Sequence, residues 1–272
     1  MLDENGICDA GGRDGMHGVG SRVVGVFEQR RETSKHANSL DFGGASTHHR
    51  SYMNILLWKT YVDAASLGEW LGRREDAKEW REAARLIADT VRRVFWDAGS
   101  GRFRGAVESD DGQGEANGLA LSVRFRTEAE ADSIRKTFSR HPHGKFQALF
   151  VRGLYEYGYA DEAVARIYEH GWNDVINDSW NGPRLTSECM TKHRGSWGDE
   201  AHPDTAIAGI LTDYVLGVEP TEPGFAKYKV VPRPSKGVTG ASGVVPTPWG
   251  ELRVSWHLEK GKPVVETVRV ER

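Results

Sequence analysis

The sequence has little cysteine, and its first residues do not resemble a secretory signal. Its 272 residues include two cysteines, Cys8 and Cys189, which are far apart along the chain. Two cysteines outside any CxxC pattern exclude a disulfide scaffold and are typical of a reducing compartment. Because the first residues also lack a basic n-region and an apolar core, we expect a cytoplasmic protein.

The sequence also lacks a long apolar run and a large excess of charge of one sign. No stretch approaches the roughly 18 apolar residues of a membrane helix. The formal net charge is −3, which is not the clustered positive charge of a protein that binds nucleic acid. With 38% hydrophobic residues the chain can form a core. We therefore expect neither nucleic acid nor a membrane as a partner.

Apolar residues instead recur at helical spacing over much of the chain, after a glycine-rich start over residues 1–45. A first helix is predicted from about Thr47 to Gly72 and a second up to Phe95, and Asp97–Gly101 ends it. Two long helices joined by a short link indicate a helical hairpin. Further helices are predicted over Leu119–Phe125, Glu128–Phe138, Phe146–Tyr157, Ala163–Tyr168 and Ile207–Val215, with Gly217 as the last cap. Successive hairpins indicate an α/α toroid or an α-solenoid, although no fixed repeat signature is present.

The pattern changes to proline-rich, alternating sequence at Pro220. Strands are predicted over Tyr228–Val231, Leu252–Trp256 and Val264–Val270, and the alternation in the second indicates a half-buried antiparallel strand. We therefore predict two domains, a helical one over residues 1–219 and a small β domain over residues 220–272.

A polar connection over residues 172–204 lies between the last two helical hairpins and is the candidate site. Connections of this length in compact helical proteins are usually functional. Glu188 is its most informative carboxylate, because apolar and cationic neighbours could tune it for activating water. A plain ion pair with a neighbouring cation would explain Glu188 equally well.

Metal and cofactor sites are not predicted. His193, His202 and Glu188 have spacings that match no established zinc motif. The glycines of residues 15–20 have the wrong order for a dinucleotide fingerprint. We expect no cofactor.

Four of the nine tryptophans lie in polar, glycine-containing stretches instead of on periodic apolar faces: Trp172, Trp180, Trp197 and Trp249. Indole rings stack on the C–H faces of sugars, although core packing would explain any one of them equally well.

The order of these features resembles glycoside hydrolase family 78, the bacterial α-L-rhamnosidases. The most specific stretch is Asp213–Phe225 (DYVLGVEPTEPGF), followed by Val230–Pro234 (VVPRP). Gly243–Gly250 (GVVPTPWG) and Arg253–Trp256 (RVSW) resemble the closing strands of that family. The resemblance implies a mainly α fold, a partial (α/α)6 barrel of helical hairpins followed by a small antiparallel β-sandwich domain.

The family resemblance also implies roles for residues of the polar connection. Inverting glycosidases use two carboxyl groups about 6.5–9.5 Å apart, an acid for the leaving oxygen and a base for water. By resemblance Glu188 is the general base, although Ser187 stands where the family usually has an aromatic residue. His202 matches a histidine that contacts the sugar in that family. Trp180 and Trp197 are expected to stack on the sugar ring.

Arg184 in the same connection would bind an acidic group of the substrate if it points inward, because its fork suits carboxylates. The resemblance implies a terminal α-L-rhamnosyl unit or a related deoxy or uronic sugar as the substrate.

The chain departs from the family at its front, where the upstream motif that carries the general acid is missing. It also has fewer predicted helices than six complete hairpins need. We therefore expect either an additional N-terminal portion or a homo-oligomer, because apolar helix faces are normally buried against other protein surface. Two alternatives to the glycosidase remain: an inert carbohydrate-binding homologue, and a polysaccharide lyase with His193 or His202 as its base.

Overall fold

The computed structural model describes residues 51–106, 113–138, 147–169 and 206–270 of the chain. These residues fall into two compact units, divided between His141 and Pro142. Among the described residues no helix is long and apolar enough to cross a membrane.

The first unit is built on a helical hairpin. Helix α1 (Ser51–Trp70) and helix α2 (Arg74–Phe95) are joined by three residues and pack along each other. Acidic residues lie in the first turn of α2 and arginines in its last turn, which suits the helix dipole. This hairpin confirms the one predicted from the spacing of apolar residues.

Two short strands follow where the sequence predicts only a break. Strands β1 (Trp96–Asp97) and β2 (Arg102–Phe103) pair antiparallel. Asn117, which is fully buried, accepts a hydrogen bond from the Phe103 N–H at 2.9 Å and donates to the Phe103 carbonyl at 2.9 Å. The edge of β2 is therefore paired by a side chain from the next helix, which local sequence spacing does not reveal.

Helix α3 (Gln113–Ser122) and helix α4 (Glu128–Phe138) complete the described part of this unit. The prediction of α4 is confirmed to the residue, whereas α3 begins and ends earlier than predicted. Arg126 lies between these two helices, and its side chain is fully buried. It forms an ion pair with Glu130, and its guanidinium lies 4.4 Å from the centroid of the Trp96 ring.

The second unit begins with a hairpin of helix α5 (Gln147–Glu156) and helix α6 (Ala160–Glu169). A further helix, α7 (Ile207–Ile210), continues into a π-helical turn over Leu211–Leu216. Gly217 ends this turn with φ of 81°, as the cap position predicts. These elements share one apolar core, formed by Ala148, Val151, Leu154, Tyr155, Ala163, Val164, Ile207, Ile210 and Tyr214.

Antiparallel strands make up the rest of the second unit. Strand β3 (Val218–Pro220) pairs with β4 (Tyr228–Val230), and strands β5 (Gly240–Thr247), β6 (Gly250–Glu259) and β7 (Lys262–Val270) form a meander. The alternation predicted for β6 is confirmed: Leu252, Val254 and Trp256 are buried, and the residues between them are not. In contrast, every residue of β7 is exposed.

The predicted boundary between residues 219 and 220 stays a prediction.

Candidate functional site

The five residues that the sequence predicts for the site lie outside the described residues. They are Trp180, Arg184, Glu188, Trp197 and His202, all within residues 170–205. The described structure supplies the elements on either side, α6 before this connection and α7 after it. Because α5, α6 and α7 share one core, both ends of the connection start from the same packed unit.

A cluster of two tyrosines and charged groups joins these elements. The ring of Tyr155 on α5 stacks on the ring of Tyr214 in the π-helical turn, with centroids 5.0 Å apart and planes 5° apart. Tyr214 donates a hydrogen bond from its hydroxyl to the carboxylate of Glu156. Sequence spacing places Tyr214 on the apolar face of its helix, and its burial confirms this prediction. Tyr155 is also buried, although it is not one of the residues of the predicted apolar stripe.

Arg233 holds the segment after β4 against this cluster. Its guanidinium lies 4.5 Å from the centroid of the Tyr214 ring and donates a hydrogen bond to the Tyr155 carbonyl. Its backbone N–H donates to the Tyr214 carbonyl at 3.0 Å. The sequence shows Arg233 only as part of the proline-flanked VVPRP stretch, so no local pattern indicates that it packs on an aromatic ring.

The electrostatics of the cluster keep both phenols protonated at neutral pH. Burial raises the pKa of Tyr155 to about 12, although the nearby Arg233 charge opposes the shift. Burial and the hydrogen bond to Glu156 also raise the pKa of Tyr214. A general base needs a pKa near the working pH. Neither tyrosine is therefore suited to act as a general base at neutral pH.

Within the described ranges no group of three or more histidine, cysteine or acidic side chains could hold a metal ion. The cluster is a scaffold of aromatic stacking, charge and hydrogen bonds, and the chemistry predicted for residues 172–204 stays a prediction.

Comparison with known proteins relates the chain to one group of enzymes. Residues 217–270 match the family model of the bacterial α-L-rhamnosidase C-terminal domain. The α-L-rhamnosidase of Alteromonas sp. (strain LOR) is 25% identical over 207 residues, which are 69% of this chain and 22% of that protein.

Solved structures agree in fold. The family 78 rhamnosidase of Bacillus sp. GL1 matches with a TM-score of 0.64 and 20% identity, over 81% of this chain and 25% of that one. The Streptomyces avermitilis α-L-rhamnosidase, solved with L-rhamnose, matches with a TM-score of 0.59 and 16% identity, over 79% of this chain and 22% of that one. The expected fold class, helical hairpins followed by a small β domain, is confirmed.

The chain is thus similar to α-L-rhamnosidases in their C-terminal portion, in agreement with the sequence resemblance. It spans about a quarter or less of the length of these relatives.

Proposed function

We propose that this relative of the family 78 α-L-rhamnosidases carries the general-base half of an inverting glycosidase site. The match of residues 217–270 to the C-terminal domain of that family, directly after helices of the same fold, carries the proposal. The substrate is a glycan with a terminal α-L-rhamnosyl or related sugar.

The proposed residues are those of the polar connection. Glu188 takes a proton from water as that water attacks the anomeric carbon from the face opposite the leaving group, and the glycosidic oxygen leaves with its bonding electron pair. Trp180, Trp197 and His202 contact the sugar ring, and Arg184 binds an acidic group of the substrate. The packed α5, α6 and α7 unit supports this proposal, because it fixes both ends of the connection.

An inverting site also needs a general acid for the leaving oxygen. The proposal assigns the base to Glu188 and assigns the acid to none of the residues named here. No cofactor takes part in the proposed reaction.

The proposal is tested with p-nitrophenyl α-L-rhamnopyranoside and the purified chain. The p-nitrophenolate ion is a stable leaving group, so its departure needs little help from an acid, and the base half can be measured alone. We expect release of p-nitrophenolate, with L-rhamnose appearing first as the β anomer in proton NMR spectra. The α anomer as first product would contradict inversion.

An inert carbohydrate-binding homologue is the second candidate, because the family match over residues 217–270 includes none of the residues proposed for hydrolysis. It predicts that rhamnose-containing oligosaccharides bind in calorimetry while neither the aryl rhamnoside nor the oligosaccharide is cleaved.

A further inference from the structure

Trp249 is a tryptophan that is fixed in orientation without being buried. It lies in the turn between β5 and β6 and is 55% exposed. Its indole N–H donates to the Gly224 carbonyl at 3.0 Å, and its backbone N–H donates to the Thr247 hydroxyl at 3.2 Å. In contrast, Trp256 also donates its indole N–H to a backbone carbonyl but is only 3% exposed. Core packing explains Trp256 and does not explain Trp249.

The turn that receives the Trp249 indole has an unusual backbone. Gly224 and Phe225 both have positive φ, 65° and 58°. A bulky residue such as Phe225 is disfavoured there and persists only where its surroundings impose the conformation. The Phe225 side chain packs against the β core, which includes Val218 and Leu252. Backbone conformations of this kind are found preferentially at binding sites.

The same turn also holds a guanidinium group. Arg269 on β7 donates from Nη2 to the Phe225 carbonyl at 3.3 Å and lies 5.2 Å from the centroid of the Tyr228 ring. Two consecutive carbonyls, those of Gly224 and Phe225, therefore receive the indole of Trp249 and the guanidinium of Arg269. An exposed flat ring and a planar cation are thus placed at one turn.

The charge of Arg269 has no acidic partner within the described ranges. The neighbouring Glu222 is paired with Lys227 instead. The hydrogen bond to Phe225 uses one of the five N–H donors of a guanidinium, whose fork suits a carboxylate. The indole, in turn, offers a flat apolar face of the kind that packs on the C–H face of a pyranose.

We propose that Trp249 and Arg269 form a binding site for an acidic sugar of a polysaccharide chain, separate from the residues assigned to hydrolysis. The pyranose ring packs on the Trp249 indole, and its carboxylate binds the Arg269 guanidinium. This inference rests on the proposed function for the class of ligand, a glycan, and names an acidic sugar within it.

The test follows the binding of oligosaccharides of alternating L-rhamnose and D-galacturonic acid to the full chain. Because Glu188→Gln removes turnover in the proposed mechanism, every protein carries this substitution. Affinity is measured by calorimetry, and the indole N–H signal of Trp249, identified by its loss in Trp249→Phe, reports the site by NMR. We expect this signal to shift on titration.

Four variants separate stacking from charge. We expect Trp249→Ala to weaken binding by about tenfold and Trp249→Phe to retain most of it, since phenylalanine keeps a flat ring. Arg269→Gln should weaken binding of the acidic oligosaccharide but not that of its carboxyl-reduced form. Trp70→Ala is the matched control, because Trp70 is even more exposed at 70% and lies on α1, and it should change nothing.

An unshifted Trp249 signal, equal affinities of Trp249→Ala and Trp70→Ala, or no binding at all would overturn this inference. Cleavage of the aryl rhamnoside by the wild-type chain together with any of these results would leave the proposed function intact. Binding at Trp249 without such cleavage would overturn the hydrolytic function alone.

Discussion

Tyr155 and Tyr214 stack face to face, with ring centroids 5.0 Å apart, yet their hydroxyl groups have different surroundings. The Tyr214 hydroxyl donates to Glu156. The buried Tyr155 hydroxyl has no hydrogen-bond partner among the described residues. The two rings therefore share one stacking contact, whereas only the Tyr214 hydroxyl forms a hydrogen bond among the described residues.

Removing the two hydroxyls one at a time tests this difference. Tyr214→Phe should lower the free energy of unfolding by about 1.5 kcal/mol, because it removes a hydrogen bond to a carboxylate. Tyr155→Phe should change it by less than about 0.5 kcal/mol, because it removes a buried hydroxyl without a described partner. Urea unfolding followed by circular dichroism measures both. A larger loss for Tyr155→Phe than for Tyr214→Phe would contradict the assignment.

The raised phenol pKa predicts a loss of stability in alkali. Above pH 10.0 an unfolded tyrosine loses its proton, whereas Tyr155 in the folded chain retains its proton up to about pH 12. In this window the unfolded state binds fewer protons than the folded state, so the free energy of unfolding falls as pH rises. The slope is at most about 1.4 kcal/mol per pH unit for each such tyrosine.

Urea unfolding at several values from about pH 9.5 to about pH 11.5 measures this slope. Tyr155→Phe should make it shallower, while Tyr214 still contributes in the same direction. Parallel pH profiles for the wild type and Tyr155→Phe would show that Tyr155 does not carry the effect.

Gly217 and Gly158 give a matched pair of substitutions, because both have φ of 81°. A Cβ at Gly217 would lie 2.3 Å from the Pro232 nitrogen, whereas a Cβ at Gly158 would meet nothing within 4 Å. Gly158→Ala should cost about 1–2 kcal/mol for the left-handed backbone alone. Gly217→Ala should lower the free energy of unfolding by about 1–3 kcal/mol more than Gly158→Ala, since the neighbouring backbone must move.

Urea unfolding of the two variants measures this difference in stability. If Gly217→Ala gives no soluble protein while Gly158→Ala does, that result also reports it. Equal costs for the two glycines would show that the segment at Pro232 does not pack against Gly217 as described.

Asn117 is expected to be essential for the β1–β2 hairpin. It pairs both backbone groups of Phe103 and also donates to the Gln113 carbonyl at 2.7 Å. Asn117→Leu should cost about 2–4 kcal/mol, because it leaves buried backbone groups without partners. Asn117→Asp should also destabilise, since it keeps the acceptor but turns an oxygen toward two carbonyls. Full stability of either variant in urea unfolding would contradict this role.

Sequence spacing predicts the amphipathic helices well, because burial of one face dictates the period. The bounds of α4 (Glu128–Phe138) and the link between α1 and α2 follow directly. The turn over Leu211–Leu216 shows the limit of this signal. The apolar spacing is compatible with either α or π hydrogen bonding. It also gives no sign of long-range contacts such as the hydrogen bond from the Trp256 indole to the Val215 carbonyl at 2.8 Å.

Contacts between residues far apart in the sequence explain the other features that local sequence patterns do not predict. The β1–β2 hairpin depends on Asn117, and the position of Arg233 depends on a ring at Tyr214, so neither appears as a local pattern. The candidate catalytic and substrate-contact residues lie outside the described residues, and their roles rest on the family resemblance.

The most direct test of the account compares Glu188→Gln with Glu251→Gln in hydrolysis of p-nitrophenyl α-L-rhamnopyranoside. Glu251 is a surface glutamate beside Arg253 and serves as the matched control. We predict that kcat falls at least about 100-fold in Glu188→Gln and is unchanged in Glu251→Gln. We also predict that azide, which attacks without giving up a proton, restores release of p-nitrophenolate in Glu188→Gln and yields the β-rhamnosyl azide. Full activity of Glu188→Gln would contradict the assignment of Glu188 as the general base.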